Sequence, residues 1–106
     1  MTQYQCLSLA SFAELQQQHN DLQIVDIRQP EVFALGSIPG AINLHAGNVD
    51  RFLLEGEYDL PLVVVCYHGI SSQNAAAYLV EQGFEQVFSL DGGYDGWAKQ
   101  QGLIAQ

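Results

Sequence analysis

The run Leu62-Val63-Val64-Val65-Cys66 constrains the fold more than any other segment of the chain. Its residues do not alternate between apolar and polar, so neither face of the strand they form can lie against water. Strands of that kind occupy the middle of parallel sheets covered on both sides. Pro61 stands at the entrance, where a missing N–H disturbs the ladder least. Leu22 to Ile27 and Val87 to Leu90 carry the same branched, apolar signal, and Gln5 to Leu7 and Ala41 to Leu44 are weaker candidates that complete a sheet.

Helical patterns fall between these segments. In Ser8 to His19 the apolar residues are Leu9, Phe12, Ala13 and Leu15, with Ser8 or Ser11 as N-cap and Ser11 with Glu14 as a capping box. Ser72 to Gln82 places Ala75, Ala76, Tyr78 and Leu79 at helical spacing and stops at Gly83, a good C-cap. Shorter helices are predicted at Glu31 to Leu35, Asn48 to Leu54 and Tyr94 to Gln101, with Gly92-Gly93 as the turn before the last. Strands alternating with helices predict an α/β fold, its parallel sheet built by right-handed crossovers and carrying helices on both faces. Ligands in such folds gather at the carboxyl ends of the strands. The most apolar strand ends in Cys66.

A chain of 106 residues with 48% apolar composition is the size of one domain, here residues 1–106, with a core large enough to fold without disulfides. Its two cysteines, Cys6 and Cys66, are no disulfide framework. Twelve acids against three bases give a net charge of −9, with Arg28, Arg51 and Lys99 as the only permanent cations. That balance argues against nucleic acid and anionic membranes as partners. No apolar run approaches the roughly 20 residues of a spanning helix, and the N-terminal segment lacks the basic and apolar regions of a leader. The expectation is a cytoplasmic protein whose cysteines are free thiols.

Leu62 to Gln82 then reads as buried strand, cysteine, the short loop Tyr67-His68-Gly69-Ile70-Ser71, and a helix beginning near Ser72. If the loop curls around the sulfur, its backbone N–H groups and those of the helix start converge on one point and form an anion nest. Such a nest lowers a cysteine pKa below the free value of about 8.5, and Gly69 provides the freedom of φ that a tight loop requires. The alternative is that Cys66 is a small core hydrophobe that happens to end a strand.

Four segments in order resemble the rhodanese family of sulfurtransferases, most of all its short single-domain bacterial type. They are Val25-Asp26-Ile27-Arg28-Gln29-Pro30 with Phe33 following, Gly36-Ser37-Ile38-Pro39-Gly40-Ala41-Ile42-Asn43, Cys66-Tyr67-His68-Gly69-Ile70-Ser71-Ser72, and Leu90-Asp91-Gly92-Gly93-Tyr94 with Trp97. The resemblance implies a five-stranded parallel sheet between helices and a cysteine that carries sulfane sulfur as a persulfide. Carried onto this sequence, Cys66 takes the nucleophile's place, and Tyr67, His68, Gly69, Ile70 and Ser71 take the places of the loop that cradles the substrate. The implied donor is thiosulfate or another sulfane sulfur compound. The implied acceptor is cyanide, or a small thiol or dithiol protein such as thioredoxin, with no cofactor. Two departures stand out. Tyr67 and His68 occupy positions where long rhodaneses have Arg and Lys, which reduces cationic help. Ser37 replaces the histidine of a Gly-His-Ile-Pro-Gly box, a change read as structural.

Several other residues have two readings. His68 either brings positive charge to the substrate or is a solvent-facing loop histidine. Asp26 and Arg28, on the same rim as Cys66, either orient the loop or form a structural ion pair. Ser71 and Ser72 are candidates to hydrogen-bond sulfur or substrate oxygen, and Ser72 is equally a candidate helix cap, two roles that are compatible. Tyr94 and Trp97 are expected to pack the last helix on the sheet, and Cys6 to be structural. His19 and His45 lack partners at ligand spacing, so no metal site is predicted. A phosphatase or arsenate reductase shares the cysteine-loop-helix design but needs a guanidinium clamp, and no arginine lies between Cys66 and Gln106. The loop is also one residue short for phosphate by family comparison. A sulfur-relay module that takes persulfide from a partner protein is the remaining alternative.

Overall fold

The structure is a computed structural model that describes residues 3–104. Its elements alternate as predicted: β1 Gln5–Leu7, α1 Leu9–Gln18, β2 Gln23–Asp26, α2 Pro30–Leu35, β3 Ile42–Asn43, α3 Val49–Glu55, β4 Leu62–Val65, α4 Ser71–Glu81, β5 Val87–Leu90 and α5 Gly93–Gln100. The five strands form one sheet in the order β1-β5-β4-β2-β3, and every pairing is parallel.

β4 lies at the centre of that order, and all four of its residues are fully buried. Its pleat divides the core in two. Leu62 and Val64 pack on one face with Ala76 and Leu79 of α4 and with Phe84, while Val63 and Val65 pack on the other with Phe12 of α1 and with Ile38. Full burial of a branched side chain contributes about 1.5–3 kcal/mol, so the run that ends in Cys66 is anchored from both sides. Tyr94 and Trp97 pack against the second cluster and fasten α5 to the sheet.

Local details differ from expectation where a side chain found another partner. Ser8 caps α1, its hydroxyl accepting the Ser11 N–H at 3.1 Å, so the Ser11–Glu14 box does not form. β3 contains only Ile42 and Asn43, opposite Val25 and Asp26 of β2. α4 begins at Ser71 behind Ile70, which makes no capping bond, and Ser72 is therefore not its cap. Cys6, expected to be structural, is exposed on the edge strand β1.

Candidate active site

Cys66 follows directly on β4 and is 5% exposed. The chain then turns back on itself within a few residues, and Gly69 takes φ +88° to let it do so. A Cβ at Gly69 would lie 2.9 Å from both Leu90 O and Gly92 N, so the position excludes other residues by space as well as by conformation. The turn points its amides inward. Gly69 N–H and Ser72 N–H donate to Cys66 Sγ at 3.1 and 3.2 Å, and the Ser72 hydroxyl lies 3.2 Å from the same sulfur.

The carbonyls of the loop point the other way, toward α5. Cys66 O accepts Tyr94 N–H at 2.8 Å and Tyr67 O accepts Asp95 N–H at 3.0 Å, both in the first turn of that helix. The loop and the helix approach so closely that a Cβ at Gly93, itself at φ +59°, would run into Cys66 O and come within 2.6 Å of Tyr67 O. Gln73 closes the far side by donating through Nε2 to Gly69 O at 3.0 Å. With the carbonyls engaged outside, the sulfur faces N–H donors and the positive end of α4.

These contacts set the charge state of the thiol. Burial alone would push the Cys66 pKa up. The Ser72 hydroxyl and the amides of Ser72, Gly69 and His68 outweigh it and hold the thiol below its ordinary range. A sulfur that is anionic and close to the surface is a nucleophile.

The other candidate residues divide into two groups. Asp26 and Arg28 form a buried structural pair: Arg28 Nη2 donates to Asp26 Oδ2 at 2.8 Å and to Gly36 O at 2.7 Å, and its Nε donates to both carboxylate oxygens. The guanidinium also lies 4.0 Å over the Tyr94 ring. This cation braces the helix that braces the loop. Tyr67, His68, Ile70 and Ser71 are exposed around the sulfur, with the Tyr67 and His68 rings 4.5 Å apart. His68 Nδ1 is 3.7 Å from Asp95 Oδ2, which Lys99 also meets at 3.0 Å. Among the described residues no cluster of three or more His, Cys, Asp or Glu comes together to hold a metal.

Sequence reasoning missed one participant, Ser89. It is fully buried in β5, and its hydroxyl lies 2.7 Å from that of Ser72. A serine in the strand Val87-Phe88-Ser89-Leu90 carries no local signal of what it faces across the sheet.

The fold and the site together define an α/β protein with a buried cysteine at the carboxyl edge of a parallel sheet, its sulfur ringed by N–H donors that favour the anion. The comparisons with known proteins agree. The model of the Rhodanese-like domain matches residues 8–100. The chain is 50% identical over 91 residues to thiosulfate sulfurtransferase GlpE of Pseudoalteromonas translucida, covering 86% of each chain. Over 97 residues it is 50% identical to thiosulfate sulfurtransferase GlpE of Shewanella oneidensis, covering 92% of this chain and 95% of the relative. Among solved structures, a rhodanese-related protein from Thermoplasma volcanium superposes with a TM-score of 0.76 at 26% identity, over 92% of this chain and 93% of the other. The chain belongs to the rhodanese-like family.

Proposed function

We propose that the protein is a thiosulfate sulfurtransferase that works through a persulfide on Cys66. The thiolate attacks the outer sulfur of thiosulfate, the S–S bond of the donor breaks, and sulfite leaves with the bonding pair. The transferred atom becomes the terminal sulfur of a Cys66 persulfide. An acceptor nucleophile then attacks that terminal sulfur, and the Cys66 thiolate is returned. The acceptor is cyanide in an assay and a thiol or dithiol protein such as thioredoxin in the cytoplasm. One observation carries the reading: a nearly buried Sγ that receives two backbone N–H groups with a hydroxyl beside it. Within the whole chain, read as one catalytic domain, the loop divides the work. The amides of His68, Gly69 and Ser72 stabilise the anionic sulfur, and the exposed side chains of Tyr67, His68, Ile70 and Ser71 meet the remainder of the donor.

A specific observation favours a second reading for the physiological donor. The net charge is −9, and Arg28, which lies over Tyr94 of the helix that holds the loop, is committed to Asp26. A dianion is therefore received weakly, and a persulfide presented by a partner protein is the natural alternative. Incubation with thiosulfate tests the first reading. The intact protein should gain one sulfur atom on the peptide containing Cys66 and lose it to excess cyanide. An active protein that never carries the added sulfur would overturn the persulfide mechanism.

A further inference from the structure

Two buried serines stand behind the nucleophile. Ser72 and Ser89 are both fully buried, and their hydroxyls lie 2.7 Å apart. Only Ser72 reaches Cys66 Sγ, at 3.2 Å. Ser89 sits between Phe88 and Leu90 in a strand whose neighbours offer an apolar core, and a hydroxyl there has no packing advantage over alanine. An interior polar group that is retained has to be satisfied, and this one is satisfied by its partner behind the sulfur.

The proton arrangement of this row depends on the sulfur. With a neutral thiol, the Sγ–H donates to Ser72 Oγ and the Ser72 hydroxyl donates to Ser89 Oγ. With an anionic sulfur, the Ser72 hydroxyl has to turn and donate to Sγ. Its own oxygen then needs a donor, and Ser89 O–H is the group at hydrogen-bond distance. Donation into Ser72 Oγ polarises its O–H and strengthens the bond it makes to the anion.

We propose that Ser89 is a positioning residue for sulfur transfer, acting through Ser72: its hydroxyl donates to Ser72 Oγ and so commits the Ser72 hydroxyl to the anionic Cys66 sulfur. The inference deepens the sulfurtransferase reading and, as a contribution to catalysis, rests on it. The charged groups around the site engage one another: Asp26 with Arg28 at the end of β2, and Asp95 of α5 with Lys99 and His68. The hydroxyl row is thus the side-chain contribution to the sulfur's own hydrogen bonds, beside the loop amides.

The test uses the Cys6→Ser protein, in which Cys66 is the single thiol, and follows its alkylation by iodoacetamide across pH. Ser72→Ala should leave about tenfold less thiolate at a fixed pH below the midpoint, and Ser89→Ala about threefold less. In the Ser72→Ala background, Ser89→Ala should add nothing. Ser89→Thr keeps a hydroxyl on the same Cβ and should follow the parent profile. Ser89→Gly, a second hydroxyl-free variant, should shift in the same direction as Ser89→Ala. A Ser89→Ala profile that coincides with the parent's overturns the proposal, as does a shift of equal size without the Ser72 hydroxyl. Alkylation needs no sulfur donor. Failure of the parent protein to form a persulfide would therefore count against the proposed function and leave this result standing.

Discussion

Cys6 and Cys66 carry the same side chain into two different environments. Cys6 lies on the edge strand β1, exposed, and lines a groove of about 800 Å³ with Tyr4, Ala77, Val80 and Phe84. Cys66 lies past the end of the central strand, 5% exposed, with N–H donors and a helix start aimed at its sulfur. The more hidden of the two is the one prepared for chemistry. The comparison teaches that the tendency of a thiol to ionise is set here by the direction of the backbone around the sulfur and not by access, because a nest fixes donors where charge must be held. The β1 position, with its strand backbone paired to β5, has no turn to converge amides on one point.

Removing each sulfur in turn gives the sharpest break of this comparison. Cys66→Ser should lose sulfur transfer altogether, whereas Cys6→Ser should keep close to parental turnover. Steady-state transfer from thiosulfate to cyanide measures both, and substantial residual turnover in Cys66→Ser would move the nucleophile elsewhere. The next largest effect should come from Gly69→Ala, which leaves the sulfur in place and disturbs its donors. The added Cβ meets Leu90 O and Gly92 N at 2.9 Å in a left-handed backbone, at a cost of about 1–3 kcal/mol in stability. Loss of a well-aimed anion donor typically costs about a hundredfold in kcat, and the variant's turnover and unfolding midpoint should both fall. Normal kinetics in a folded Gly69→Ala protein would mean that the amide geometry is not what activates the thiol.

The lowered Cys66 pKa also has a signature in stability. Because the folded state holds the thiolate at a pH where the unfolded chain is still a thiol, the unfolded state binds more protons in that interval, and stability rises with pH. The contribution is complete above the unfolded value of about 8.5 and is lost as pH falls through the lower folded value. Denaturant titrations of the parent and Cys66→Ser proteins should therefore diverge with rising pH and level off above the free-thiol range. Parallel curves would show that the folded thiol titrates like an unfolded one.

Much of this was legible in the chain because the decisive signals are local. Val87 to Leu90 and Gln5 to Leu7 match their strands residue for residue, and the non-alternating Leu62–Val65 run does sit at the centre of the sheet. Gly69 announces its turn because no other residue tolerates φ +88° with so little space. The parts that stayed hidden depend on meetings across the fold. Ser72 was legible as a sulfur contact or a helix cap, but nothing local told that burial against β5 also brings its hydroxyl to Ser89. Gly92-Gly93 read as a turn, and nothing in that pair told that Gly93 is bare so that α5 can press against the loop carbonyls. The Asp26–Arg28 ion pair was one of two readings of the chain, and only the reach of the guanidinium to Gly36 O and over the Tyr94 ring needed the folded protein.

The smallest expected effect concerns the charge that the loop lacks. Thiosulfate is a dianion approaching a protein of charge −9, and the residues after Cys66 are Tyr67 and His68. His68 is exposed with its Nδ1 3.7 Å from Asp95 Oδ2, so the rim of the site presents a carboxylate already shared with Lys99. In His68→Lys a permanent cation enters this rim. In water one charge at about 4 Å contributes about 1 kcal/mol per substrate charge, and salt and solvent remove much of that for an exposed group. Pairing of the new ammonium with Asp95 removes more. The apparent KM for thiosulfate should therefore fall only about two- to fivefold at low ionic strength, with kcat nearly unchanged because the amides around Sγ are untouched. The gain should shrink as salt rises, and it should grow when Asp95→Asn is added, since the competing carboxylate is then gone. An unchanged KM at low salt in both variants would assign the recognition of the donor to the backbone of the loop alone.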